Sequence, residues 1–191
     1  GADGVFPVAD TPIGRLAAIA SEEIQYPEIA RCHAMRGAEV FVHPTSEAGS
    51  PSVSTKELAR RARAAENLAY VVSANSASLE GIGVPAQSTS GMSKIVDYYG
   101  QIMAEASPGG ESMVANATID LVALRACRRK TGLTNMLVRQ PFQAYAASYT
   151  EAAFQPANRL IVNGQVAVPE RSDFARWQQD NIERLSKAGL I

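Results

Sequence analysis

"IASEEIQYPEIAR" spans residues 19–31. An apolar run ends on Ser21, two acids crowd beside it, and Tyr26-Pro27-Glu28 leads into a new periodicity. Pro27 fits the first turn of a helix, where its missing N–H costs nothing. The stretch therefore reads as strand, sharp turn on a serine, helix. This is how a fold presents a nucleophile, because turn N–H groups and the helix dipole can hold an oxyanion there. A serine in that place is also a common helix cap. The hydrolase elbow G-x-S-x-G is absent, since the residues run Ile19-Ala20-Ser21-Glu22-Glu23.

Outward from this stretch, the pattern alternates strand and helix. "GRLAAIA" (14–20) reads as a buried strand bounded by Gly14. "EIARCHAMR" (28–36) has helical spacing, with Ile29, Cys32 and Met35 or Ala34 on one face and Gly37 as the stop. "AEVFVHPT" (38–45) is a second strand, ended by Pro44. "TKELARRARAAENLA" (55–69) is a longer helix, with Leu58, Ala59 and Ala62 for packing and Arg60, Arg61 and Arg63 on a mostly solvated face. "YVVSAN" (70–75) is a β-branched strand, and residues 78–91 form a loop of glycine and small polar residues. Residues 92–107 read as a hairpin turning at Gly100, and "SMVANATIDL" (112–121) alternates like a further strand. The order βαβαβ followed by antiparallel pieces predicts α/β layers on a mixed sheet.

From residue 125 the chain turns basic and irregular. "RLIVNGQVAV" (159–168) carries a hairpin signal at Asn163-Gly164. Residues 172–190 read as a helix capped by Ser172, with Phe174, Trp177, Ile182 and Leu185 as its stripe and Gly189 as its stop.

Bulk properties narrow the function. The 191 residues are 46% hydrophobic and 19% charged, as suits a globular domain with a core. A net charge of −1 gives no electrostatic case for nucleic acid or anionic membrane. No apolar run reaches membrane-spanning length, and the first ten residues lack the basic and apolar regions of a signal peptide. The expected setting is cytoplasmic, with Cys32 and Cys127 as reduced thiols. Cys32 reads as a small core residue, and Cys127 as part of a basic surface loop. "RACRRK" (125–130) lacks the interleaved aromatics of a nucleic-acid patch and reads as solvated or subunit-facing. His33 falls inside a helix. His43 ends a strand, where a pairing with Ser21 is conceivable, but no third triad member is legible. No His/Cys spacing suggests a metal, and no cofactor is expected.

Four ordered motifs carry a family resemblance over residues 11–125. The run from the apolar strand through Ser21, an acid and "YPE" resembles the nitrilase superfamily of carbon–nitrogen hydrolases. "RGAEVFVHPTSE" (36–47) is similar to that family's Gly-Ala strand and following loop. "RARAAENLAYVVSAN" (61–75) resembles its Arg-Ala-x-Glu-Asn helix and the strand ending in Asn. "GMSKIVDYYG" (91–100) resembles its Gly-x-Ser-x-Ile-x-Asp-x-x-Gly hairpin, and "TIDLVALR" (118–125) is like the strand that closes the domain.

The resemblance implies a layered α-β-β-α nitrilase-like sandwich with a mixed sheet, incomplete at its N-terminus. It divides the chain into the C-terminal portion of a hydrolase domain (1–125) and an extension (126–191) expected to face a second subunit. It implies hydrolysis of a small non-peptide amide, nitrile or carbamoyl compound. The family nucleophile is a cysteine, and Ser21 stands at that position. The backbone N–H of Glu22 would help hold the oxyanion. Tyr26, Thr45, Ser46 and Glu47 would line the substrate pocket. Glu23, Glu28, Arg31, Arg63, Glu66, Asn67 and Asn75 would support it. The family's glutamate base and lysine belong to the N-terminal half of the domain.

A thiol is partly ionised near neutral pH, whereas a serine hydroxyl needs a placed base. Ser21 is therefore what an engineered replacement or a natural inactive homologue would carry. Three readings follow: a hydrolase inactive as it stands, a catalytically dead binding or assembly subunit on the same fold, or a true serine hydrolase. A homodimer or higher homo-oligomer is expected, with no nucleic-acid or membrane partner.

Overall fold

A computed structural model of the chain describes residues 2–47, 54–83, 85, 89–108, 112–151 and 160–191. The linker expected near residue 157, parts of the 78–91 loop and the start of the 159–168 hairpin lie outside them. The chain forms two compact units, Gly1–Gln140 and Pro141–Ile191.

The first unit opens with a single helical turn, α1 (Ala2–Val5), and is built on a six-stranded sheet. Its strands are β1 (Ala9–Thr11), β2 (Gly14–Ala18), β3 (Val40–Thr45), β4 (Tyr70–Asn75), β5 (Lys94–Val96) and β6 (Ile102–Glu105), in that spatial order. β2, β3 and β4 pair in parallel, and the other neighbours pair antiparallel, so the sheet is mixed as expected. Helices α2 (Pro27–Met35) and α3 (Thr55–Asn67) make the two crossovers between the parallel strands. Such crossovers need a dozen or more residues and place helices on a sheet face.

Alternation along the strands sorts the core. Ala17, Phe41 and Val71 point one way, and pack with Ile24, Ala30 and Ala34 and with Ala59 and Ala64 of α3. The small residues of the two helices let them lie close on the sheet. Leu16, Val40, Tyr70 and Val72 point the other way, toward Ile119, Leu121 and Leu124. That second face is only partly covered: Val42 is 40% exposed and Ile13 69%.

Two expectations are corrected here. Residues 112–120 are not a strand, and the segment from Leu121 is not a strand either, but helix α4 (Leu121–Arg129). Asp120 accepts from Ala123 N at 2.8 Å and caps it. The alternation of Met113, Ala115, Ala117 and Ile119 is a pattern without a ladder, since no strand among the described residues pairs with it. The basic stretch after 125 is likewise ordered. The Arg128 guanidinium donates to the carbonyls of Leu68, Ala38 and Asn67, and Asn135 ties the following turn to Arg128 and Lys130. These bonds, with the short helix α5 (Met136–Arg139), carry the first compact unit to Gln140.

The second unit holds α6 (Phe142–Glu151), a two-stranded hairpin β7 (Ile161–Val162) and β8 (Gln165–Val166), and α7 (Arg171–Lys187). Asn163 and Gly164 take φ of 53° and 79°, the left-handed pair that a type I′ turn demands. The cap of α7 is Glu170 and not Ser172: its N–H donates to Asp173 Oδ2 at 2.9 Å. Phe174 and Trp177 stack edge to face on this helix, their ring centroids 5.3 Å apart.

Candidate active site

Parallel strands open their carboxyl ends toward ligands in α/β sheets. Here β2, β3 and β4 bring the segments after Ala18, Thr45 and Asn75 to one edge. Ser21 begins a short 3-10 helix, Ser21–Gln25, between β2 and α2. Its backbone is left-handed, with φ 45°. A non-glycine residue held there costs on the order of 1–3 kcal/mol, so the surroundings must enforce it.

Those surroundings are visible. Glu23 folds back, and its Oε2 accepts the Ala20 N–H at 2.7 Å. From α3, Arg63 donates to the carbonyls of Ile24 (3.0 Å) and Gln25 (2.8 Å). Arg63 also pairs with Glu66 at 3.0 Å, and Arg31 of α2 donates to the Glu66 carbonyl at 2.7 Å. The Arg-Ala-x-Glu-Asn motif is thus the clamp that fixes the turn behind Ser21. Asn67 is fully buried and donates to the Arg63 carbonyl. The expected solvated arginine face is corrected: Arg60 and Arg63 are 4% and 8% exposed, and only Arg61 lies outward, donating to the Gly100 carbonyl. Helical periodicity assigns arginines to water by default, but burial is tolerated when a guanidinium finds acid partners, as Arg60 does in Glu47 and Glu57 although its Nε has none.

His43 does reach Ser21, but not its hydroxyl. Nε2 lies 3.0 Å from the Ser21 carbonyl oxygen and Nδ1 2.8 Å from Ser73 Oγ. A carbonyl can only accept, so Nε2 carries the proton and Nδ1 accepts from Ser73. Burial pushes the His43 pKa down, which keeps the ring neutral. His43 is a backbone brace and not a general base for Ser21.

The Ser21 hydroxyl instead meets Lys56, whose Nζ donates to Oγ at 3.3 Å. Lys56 lies in the first turn of α3, where a cation opposes the helix dipole. That misplacement was the signal in the sequence, and it was missed. Also missed was a buried charge cluster beside it. Lys94 of β5 is 1% exposed and its Nζ sits 2.6 Å from Glu57 and 2.5 Å from Glu105. Glu57 also pairs with Arg60, which in turn holds Glu47.

The pocket residues expected from sequence are dispersed in role. Tyr26 is 57% exposed and Ser46 is exposed. Thr45 Oγ1 is buried without a hydrogen-bond partner among the described residues. Glu47 is buried, its carboxylate engaged by Arg60 and Ser54. Asn75 ties two segments to the end of β4: its Oδ1 accepts the Glu47 N–H, and its Nδ2 donates to Ser90 Oγ and the Gly91 carbonyl. Glu22 and Glu28 are exposed on the turn and on α2. Among the described residues, no three His, Cys, Asp or Glu side chains cluster as a metal site would need, and no helix is long and apolar enough to cross a membrane.

The profile of the carbon-nitrogen hydrolase family matches residues 1–129. The chain belongs to that family. Among curated proteins it is similar to omega-amidase NIT2-A of Xenopus laevis, at 33% identity over 125 residues. That match covers 65% of this chain and 44% of the relative. It also resembles the human deaminated glutathione amidase, at 31% identity over 62% of this chain and 35% of that one. The chain thus spans less than half the length of these relatives. Among solved structures, Saccharomyces cerevisiae Nit3, a nitrilase-superfamily member, matches with TM-score 0.56 and 27% identity over 65% of this chain and 44% of that one. A Helicobacter pylori carbon-nitrogen hydrolase shares the fold, with TM-score 0.62 and 24% identity over 74% of this chain and 51% of that one. The mixed sheet with flanking helices is therefore the carbon-nitrogen hydrolase fold.

Proposed function

We propose that residues 1–140 form the nucleophile-bearing part of an amidase-type site, and that Ser21 leaves this chain without turnover on its own. The observation that carries the reading is the partner of the Ser21 hydroxyl. It is the Lys56 ammonium, a donor, while His43 spends its proton on the Ser21 carbonyl. A hydroxyl nucleophile needs a base within reach, and among the described residues the Ser21 hydroxyl has Lys56 as its one hydrogen-bond partner. Residues 1–20 contain neither glutamate nor lysine, the two groups that the resemblance places ahead of the nucleophile.

In the active form of such a site, a cysteine at position 21 attacks the carbonyl carbon of a small amide. The tetrahedral oxyanion collapses, a proton goes to the leaving nitrogen, and ammonia departs. Water then cleaves the thioester to the acid. The turn held by Arg63 and Glu23 aims the nucleophile, and the N–H groups after it face the developing charge. The amidase names of the relatives support a small amide substrate. The alternative, a dead binding or assembly subunit, is favoured by the same Ser21–Lys56 contact.

Ammonia release from short aliphatic amides and ω-amides tests this. Background rates are expected for the chain and for Ser21→Cys. Activity should appear only when Ser21→Cys is placed in a longer chain that supplies the glutamate and lysine. Steady ammonia release by the unaltered chain, lost in Ser21→Ala, overturns the proposal, as does labelling of Ser21 by a fluorophosphonate.

A further inference from the structure

At the opposite end of β2 from Ser21 lies an open cleft of about 460 Å³. Its charged lining is Arg15, Arg125, Arg128 and Arg129 with Asp10 and Glu39. The volume falls within the range of small-molecule sites, about 300–1,000 Å³. Three of the arginines come from the last turns of α4, a place where cations are common for dipole reasons alone. What distinguishes the cleft is how the guanidiniums are committed.

Arg128 is consumed by structure, since it donates to three backbone carbonyls. Arg125 is held by Glu39, with Nε 2.6 Å from Oε1 and Nη2 2.9 Å from Oε2, which leaves its Nη1 edge toward the cleft. Arg15 and Arg129 have no acid or carbonyl partner for their side chains among the described residues. The Arg15 fork lies over Gly37, where an added Cβ would stand 2.5 Å from Nη1. Burial is the chief cause that lowers the Arg128 pKa, Glu39 opposes it and Arg15 adds to it, so Arg15 and Arg128 stand close as like charges. Four guanidiniums against two carboxylates leave a net charge of +2 in the lining.

We propose that this cleft is a second ligand site, separate from the Ser21 edge, and that it takes a small phosphate-bearing anion on Arg15, Arg129 and the outer edge of Arg125. Guanidinium forks match phosphate oxygens in pairs. A phosphate dianion neutralises the net charge, whereas a monocarboxylate does not. Asp10 and Glu39 limit the site to one such group by repelling more extended negative charge.

Calorimetric titration at constant ionic strength tests the proposal, with inorganic phosphate, an alkyl phosphate monoester and a short single-stranded oligonucleotide as probes. Saturable binding of inorganic phosphate or the monoester is expected. A tighter monoester means that the organic portion also contacts the cleft; equal affinities mean that the phosphoryl group alone is read. Each guanidinium removed should weaken binding about tenfold, so Arg15→Gln/Arg129→Gln should abolish it at accessible concentrations. Both side chains are exposed and unpaired, so circular dichroism should be unchanged. If the double variant does not fold, Arg129→Gln alone must still show the tenfold loss. Lys56→Ala should bind phosphate normally, which keeps the result independent of the active-site reading. Absence of saturable phosphate binding, or equal binding by the arginine variants, overturns the proposal. So does an oligonucleotide that binds far tighter than phosphate and is lost in the same variants.

Discussion

Replacing Glu39 by glutamine would measure how strongly one buried carboxylate ties α4 to the sheet. Glu39 is 5% exposed, accepts the Arg15 N–H at 3.0 Å and takes both forks of Arg125. The Arg125 hydrogen bond, more than any other cause, pulls its pKa from 4.5 down to about 2, against the opposing effect of burial. At about 1.4 kcal/mol per pH unit, that shift corresponds to at most ~3.5 kcal/mol. Arg125 is 49% exposed, so solvent screens the pair, and about 2 kcal/mol is the expected loss in Glu39→Gln at pH 7. Because the folded pKa lies below the unfolded one, the contribution is complete above about pH 4.5 and disappears as pH falls through about 2. The difference between the two proteins should therefore shrink across that window. Urea unfolding followed by far-ultraviolet circular dichroism is the assay. Tryptophan fluorescence would mislead, since the single tryptophan, Trp177, lies in the second unit. An equal difference at pH 7 and at pH 2.5 would refute the reasoning, because it would mean that shape and not charge sets the effect.

Two further outcomes are expected. Lys94→Met should destabilise the first unit by about 3 kcal/mol in urea unfolding, because Glu57 and the partly exposed Glu105 lose their shared, buried cation. A loss under about 1 kcal/mol would show that the pairs contribute little. The second unit exposes Ile161, Val162, Val166, Val168, Phe174 and Ile182, so light scattering should find a homodimer or larger species. A chain ending at Gln140 should form smaller assemblies, and a monodisperse full-length monomer would contradict this.

Local patterning was enough for the βαβαβ framework. Short apolar and β-branched runs at 14–20, 38–45 and 70–75 and helical spacing at 28–36 and 55–69 mark the strands and helices, and each lies within a few residues of the observed bounds. Ser21 stood out for a similarly local reason, a strand running into a proline-led helix. Tertiary structure decided what pattern could not carry. Met113–Ile119 alternates like a strand, but a strand exists only if a neighbour supplies hydrogen bonds, and none of the described residues does. Arg60, Arg63 and Lys94 look like surface residues, but carboxylates and carbonyls from sequence-distant segments bury them. Lys56 lies 35 residues from Ser21, and His43 lies 22. Only the parallel pairing of β2 with β3, and the return of α3 across the sheet, brings these groups to one serine. The sequence by itself thus determined which residue the fold presents. Partners that meet through space, and not along the chain, determined that a donor and not a base attends it.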